Sequence, residues 1–347
     1  MSTSLASNLV GKNLNGWQVD KKLSKEETTG GAFSSGYVVH DHKGRQAFLK
    51  AVNIEYAMTA VAHHGSLTDL MNSLTEDFKY ERDLLVFCGK HRMDRVVLAI
   101  DSGEYRESGY AYFVPYLVFE YCEEGDVRRQ TRMLDPGLAW RLHVFHGVCV
   151  GVQQLHSKDV AHQDLKPSNI LVFNGNEAKI ADLGRSTKRG PNARFDAEGH
   201  CGHIDYTPIE LHYRHYEADW NVRRKGADLY MLGGILAFLA SNVHFFSLVL
   251  GRIPSTHHPL TWRGNDYKSI LPILENATCG AIREVVASLP PEVQPDIQNL
   301  LLWLCNPDPA KRGHPRTLEA MIGSPFSLER IISIAARVAK RAHILAK

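Results

Sequence analysis

The sequence predicts an α+β chain in two parts, a small strand-rich one followed by a larger, mainly helical one. Three observations lead there. Up to about residue 122, short runs rich in β-branched and aromatic residues alternate with Gly- and Asp-rich turns. A single amphipathic helical pattern interrupts them at about 69–88. After Glu123-Glu124-Gly125, apolar residues recur at helical spacing through most of the remaining chain.

Taken in order, residues 1–16 are polar and are expected to form a flexible N-terminus. WQVDKKL, GYVVHD and QAFLKAV then read as strands between Trp17 and Val52. Leu70, Leu74, Phe78, Leu84 and Leu85 make the stripe of the first helix, and VVLAID and YLVFEYC read as two further strands. Trp140 to His156 reads as an apolar helix carrying Leu142, Phe145, Val148, Val152 and Leu155 on one stripe. The run from Leu229 to Gly251 is long enough to span a bilayer. Asp228 at its start and Asn242 and His244 within it make a buried core helix the expectation instead, with no transmembrane span. The last segment, SPFSLERIISIAARVAKRAHILAK, reads as an amphipathic basic helix that packs on its own domain, and it is also a candidate for binding a partner or an anionic membrane. The expected divisions are 1–16, a small lobe over 17–122, a large lobe over 123–323 and the terminal helix over 324–347.

Composition narrows the function classes. With 44% hydrophobic residues, the chain can bury a sizeable core. Forty basic and 38 acidic residues leave a net charge of +2, which argues against bulk electrostatic binding of nucleic acid. The six cysteines are scattered without a CxxC pair and read as free thiols in a reducing, cytoplasmic setting. The first residues lack the charged start and apolar core of a signal peptide, and Ser2 offers no glycine for myristoylation.

The densest polar chemistry is HQDLKPSNILVF, His162 to Phe173, followed 18 residues after Asp164 by Asp182 in AKIADLGRS. Either piece alone could be a polar turn beside a buried strand. In this order and spacing they resemble the catalytic loop and the metal-binding D-F-G of the eukaryotic-like (Hanks-type) Ser/Thr protein kinase superfamily, with HQD and DLG as divergent variants. The resemblance covers about residues 17–320.

The resemblance implies a bilobal fold, with a small antiparallel β-sheet lobe plus one helix, a mainly α-helical lobe, and ATP between them. Phosphoryl transfer needs an aligned hydroxyl, metal ions on the phosphates and charge neutralisation more than covalent help from protein. Asp164 would take or orient the proton of the attacking hydroxyl, and Lys166 would reach the transferring phosphate. Asn169 and Asp182 would hold Mg²⁺, with Mn²⁺ as the alternative ion. Lys166, two residues after the Asp, goes with Ser/Thr rather than Tyr substrates in the family. Lys50 in AFLKAV would pair with the nucleotide phosphates and with a helical Glu. Glu81 suits that place better than Glu76, because the two lie about 140° apart around a helix and Glu81 fits the apolar stripe. The gap from Lys50 to Glu81 is longer than usual, which suggests an insertion at AMTAVAHHGSLTDL.

The phosphate loop is the least typical part. TTGGAFSSGYVV supplies Gly30 and Gly31, with Ser34 where a third glycine is usual. Gly36 replaces the usual small apolar residue over the nucleotide and Phe48 replaces the usual Ala, a pair that would conserve volume. Backbone groups of Glu120 and Cys122 would meet the adenine edge, with Phe119 behind the adenine pocket, and Asp126 would touch the ribose. Pro208-Ile209-Glu210 stands for A-P-E, with Arg312 as the buried partner of Glu210, and Asp228 would tie down the catalytic loop.

Gln163 replaces the Arg that in the family contacts a phosphate on the activation segment, so activity without activation-segment phosphorylation is expected; Ser186 and Thr187 nonetheless remain candidate modification sites. A zinc site at His200, Cys201 and His203, with His212 and His215 nearby, fits no standard spacing. The expected activity is Mg-ATP-dependent phosphorylation of Ser or Thr on a protein substrate, autophosphorylation included. A pseudokinase that only binds nucleotide or partners, and a small-molecule kinase, are the alternatives.

Overall fold

The computed structural model describes residues 4–24, 33–55, 66–110, 112–191, 193–197, 199, 202–320 and 323–346. Two compact units are present: Met1–Gly125 with Ala181–Gly184, and Asp126–Ile180 with Arg185–Lys347.

In the first unit, six antiparallel strands run in the order β1-β2-β3-β4-β6-β5. They are β1 Asn13–Leu14, β2 Trp17–Lys22, β3 Ser34–His40, β4 Gln46–Val52, β5 Ala99–Tyr105 and β6 Val114–Glu120. One face of the sheet is apolar, with Val19, Tyr37, Val39, Leu49 and Tyr116 buried in a single core. The N-terminal segment corrects the expectation of a flexible 1–16. From Ser4 onward it is packed: Leu5, Ala6, Leu9 and Leu14 are buried in that same core, and Tyr37 Oη donates to Ala6 O at 2.7 Å. Leu5 and Leu9 are four residues apart and Leu14 is five further on, too short a run to sustain one period, so the polar residues around them hid the signal.

Helix α1, Leu67–Lys90, starts at Ser66, whose side chain accepts from Thr68 N. Phe78, Leu84, Leu85 and Cys88 are its buried apolar residues among those described, and Glu81 is buried beside them. Most of the expected insertion, 57–65, lies outside the described residues.

The second unit is mainly helical. Helix α2, Val127–Leu134, precedes α3, Leu138–His156. The short strands β7 Val160–Ala161, β8 Ile170–Phe173, β9 Glu177–Ile180 and β10 Thr187–Lys188 frame the two polar loops. β8 pairs with β9 and β10 with β7, both antiparallel.

The apolar stretch 229–251 is two helices rather than one. Helix α4, Gly226–Ser241, is almost wholly buried and ends where Asn242 turns left-handed at φ 56°. A short helix, Phe245–Leu250, follows. Among the described residues no helix is long and apolar enough to cross a membrane.

The terminal helix α5, Glu329–Leu345, packs on α3 and buries Ile331, Ala335, Val338, Ala339 and Ala342. Its Arg337 and Arg341 reach Asp296 at 2.9 and 3.0 Å.

Candidate active site

In the first unit, β4 carries Lys50 and α1 carries Glu81. Lys50 Nζ donates to Glu81 Oε1 at 2.9 Å and Oε2 at 3.1 Å, and to Asp182 Oδ1 at 3.0 Å. Glu76 is not in this cluster. Burial alone would lower the Lys50 ammonium, but the carboxylates of Asp182 and Glu81 outweigh it and hold the ammonium above its usual range. Burial raises the Glu81 carboxyl. Three side chains thus gather two carboxylates on one ammonium, a charge balance that suits a divalent cation and its phosphates. Asp182 sits at φ 64°, the left-handed region that costs a non-glycine residue about 1–2 kcal/mol. Such strain concentrates where side-chain aim matters.

The loop between β7 and β8 carries the second group. Asp164 Oδ2 accepts from Lys166 Nζ at 2.7 Å and from Asn169 Nδ2 at 3.2 Å. Asp164 Oδ1 accepts from the backbone N–H of His203 at 2.8 Å. Asn169 Nδ2 also donates to the Asp164 carbonyl, which leaves Asn169 Oδ1 buried with no hydrogen-bond partner among the described residues. An amide oxygen so placed is the hard donor that Mg²⁺ accepts, and Mg²⁺ commonly needs only one or two carboxylates besides. Asn169 in the second unit therefore fits such an ion by its chemistry, and so, taken by itself, does the Asp182 carboxylate in the first.

The loop is fixed from below by Asp228, at the start of α4. Its carboxylate is fully buried and accepts from the N–H of His162 at 2.7 Å and of Gln163 at 2.8 Å. His156 Nε2 lies 2.9 Å from the same carboxylate. Gly202 approaches the loop so closely, at φ 59°, that a Cβ there would meet Asp164 Oδ1 and Gln163 O at 2.5 Å. Only glycine fits.

Farther along the segment, Arg312 donates to both oxygens of Glu210 at 2.8 and 2.5 Å, with the guanidinium fully buried. Ser186 and Thr187 are also buried. Ser186 Oγ donates to His162 O at 3.2 Å and Thr187 is in β10 opposite Ala161, so neither is presented for modification in this conformation.

The remaining expected residues are scattered in their outcomes. Gly30 and Gly31 lie outside the described residues, and Ser34 opens β3 opposite Val52. Glu120 ends β6 paired with Ala47, and Cys122 follows with its thiol 3.5 Å from Gly125 O. Asp126, expected at a ribose, caps α2: its carboxylate accepts from Arg129 N at 3.0 Å and pairs with Arg128 at 2.9 Å. A short acid just before a helix is the cap signal that could have shown this. Gly36 lies opposite Lys50, and Phe48 opposite Val38, so Gly36 and Phe48 are diagonal neighbours on one face of the sheet. For the zinc reading, His200 and Cys201 lie outside the described residues, and among the rest no group of three or more His, Cys, Asp or Glu is arranged to hold a metal. Sequence reasoning missed His156, Asp196, Gly202 and Arg224, whose partners lie far away in the chain.

Residues 90–326 match the protein kinase domain. The chain is 27% identical over 201 residues to an Aurora kinase of Debaryomyces hansenii, covering 57% of this chain and 41% of that protein. It is 30% identical over 202 residues to a probable serine/threonine-protein kinase of Dictyostelium discoideum, covering 57% and 20%. An inactive serine/threonine-protein kinase of Mus musculus is 27% identical over 205 residues, covering 57% and 28%. The chain thus spans less than half the length of each of these relatives. The matched span holds Asp164, Asn169, Asp182, Asp228, Glu210 and Arg312, whereas Lys50 and Glu81 precede it. With more than half of its length matched, this chain belongs to the protein kinase domain family, with a sheet-built small unit and a helical large one.

Proposed function

We propose that this chain transfers the γ-phosphoryl group of ATP to Ser or Thr hydroxyls on protein. The observation that carries the proposal is the Asp164 carboxylate, set by Lys166, Asn169 and the His203 N–H, beside the partnerless Asn169 Oδ1. In the transfer, the hydroxyl oxygen bonds to the γ-phosphorus as the bond from that phosphorus to the β,γ-bridging oxygen breaks. The proton passes towards Asp164, and ADP leaves with the electron pair. Lys50, held by Glu81, steadies the nucleotide phosphates, and Lys166 neutralises charge on the group in transit. Asn169 and Asp182 would hold Mg²⁺ or Mn²⁺, which supplies charge neutralisation on the phosphates when bound. Gly30, Gly31, Ser34, Glu120 and Cys122 are proposed as nucleotide contacts through the backbone. Asp126 is already committed to the cap of α2, which weakens its ribose role.

Activity without activation-segment phosphorylation is part of the proposal. Gln163 cannot pair with a phosphate as a cation would, and Ser186 and Thr187 are buried. One relative is described as inactive, so a nucleotide-binding pseudokinase is the second reading.

The test is mass-spectrometric mapping of phosphate after incubation with Mg²⁺ and ATP, alone and with generic protein substrates or a mixture of hydroxylated metabolites. Phosphoserine or phosphothreonine on protein is expected. Divalent-dependent ATP binding without any product supports the pseudokinase, and product on metabolites alone supports a small-molecule kinase.

A further inference from the structure

Five charged or amide side chains of the second unit, Arg223, Arg224, Asp196, Gln163 and Asp228, form a chain of contacts. A π-helical turn, Asn221–Lys225, presents Arg223 and Arg224 side by side. Arg224 is buried, and it reaches two ways at once. Its Nε donates to Asp196 Oδ1 at 3.0 Å, and its Nη2 donates to the carbonyls of Phe195 at 3.1 Å and Asp196 at 2.5 Å. Its Nη1 donates to Gln163 Oε1 at 2.9 Å. Arg223 Nη2 adds contacts to both Asp196 oxygens at 3.1 Å. Gln163 Nε2 passes the connection on to Asp228 Oδ1 at 3.2 Å and to Arg224 O at 3.0 Å.

Residue 163 is suited to this junction by being an amide. It accepts from a guanidinium on one side and donates to a carboxylate on the other, which neither Arg nor Glu can do. An arginine there would set a second cation against Arg224. The segment end of the connection is also over-determined. Phe195 sits at φ 63°, which a bulky residue avoids, and Arg185 and Arg194 lie over its ring at 5.4 Å each. Strain of this kind persists only where surrounding contacts hold it. An isolated exposed ion pair is worth about 0–1 kcal/mol, but here the carboxylate holds the outer end of a buried guanidinium. Partial burial raises the Asp196 carboxyl, and the hydrogen bonds from Arg224 and Arg223 outweigh this and bring it below its usual range.

We propose that Asp196 is a positioning residue for phosphoryl transfer. Its carboxylate, gripped by Arg223 and Arg224, anchors residues 193–197 and, through Arg224 and Gln163, fixes the loop that carries Asp164. The chain thereby supplies from its own sequence the anion that organises this segment. The kinetic part of this inference rests on the transfer activity proposed above, whereas the anchoring part does not.

The experiment compares the full chain with Asp196→Asn and Asp196→Glu, by steady-state kinetics and by amide hydrogen exchange without nucleotide. Asp196→Asn is expected to lower kcat roughly tenfold with KM for ATP changed less than about twofold, because only alignment is lost. Amide exchange at Gln163 and Phe195 should quicken, and Asp196→Glu should restore both readouts. A kcat within about twofold of the original overturns the proposal, as does a loss that Asp196→Glu fails to recover. Unchanged exchange overturns it too. Should the original chain transfer nothing, the functional reading fails by itself and the exchange result alone decides the anchor. If Asp196→Asn does not fold, Arg223→Gln, at a side chain 20% exposed, takes its place with the same expectations.

Discussion

Arg312 with Glu210, and Lys50 with Glu81 and Asp182, are both buried ion clusters, yet they are balanced differently. In the first, one cation meets one anion, and the remaining guanidinium N–H groups go to the carbonyls of Asn306 at 2.8 Å and Gly226 at 3.2 Å. The side chains are 0% and 6% exposed. In the second, one ammonium serves two carboxylates, and the three side chains are 15%, 10% and 16% exposed. The first cluster is closed and satisfied by protein. The second keeps negative charge at a slightly open place, where an incoming cation or phosphate changes the balance. Satisfied buried charge holds a fold; unbalanced buried charge marks a site.

Breaking the closed pair should give the largest loss of stability. Arg312→Ala strands Glu210 in an apolar setting and is expected to cost about 3–5 kcal/mol, read by thermal or denaturant unfolding. A cost near zero would remove the contrast between the clusters. Asp182→Asn should do the reverse. Phosphoryl transfer is expected to fall at least about a hundredfold, while unfolding stability holds or rises because one of two like charges is gone. A stability loss as large as that of Arg312→Ala would make the second cluster structural as well. Gly202→Ala is expected to cost at least about 1–2 kcal/mol for the left-handed backbone, with the clash against Gln163 O and Asp164 added to it, and kcat should also fall because Asp164 is pushed aside. Unaltered kcat would show that the close approach of Gly202 is incidental. Smallest is Gly36→Val, expected to weaken ATP binding and to be offset by Phe48→Ala, since the two are diagonal neighbours. Equal defects in the single and double variants would dismiss the compensation.

Much of this was legible in the sequence where chemistry is local. Asp164, Lys166 and Asn169 lie within six residues, so their grouping follows from the loop itself. The geometry of Glu81 followed from the apolar stripe of its helix, because a helix fixes which residues share a face. The cap formed by Asp126 was not read, because the same short acid that can serve a ligand also serves a helix end. The N-terminal leucines were misread because three of them, four and five residues apart among polar neighbours, are too few to sustain a period. Asp196 and Arg224 could not be read at all. They are 28 residues apart, and only the fold brings that pair and Gln163 together.

We propose phosphoryl transfer by Asp164 with nucleotide held through Lys50. Its most direct test follows γ-labelled phosphate from ATP in the presence of Mg²⁺, using the original chain, Asp164→Asn and Lys50→Met, with ATP binding measured in parallel. Label on protein is expected with the original chain and none with either variant, while Asp164→Asn still binds ATP. An original chain that binds ATP and transfers nothing, or an Asp164→Asn variant that transfers as well as the original, would contradict it.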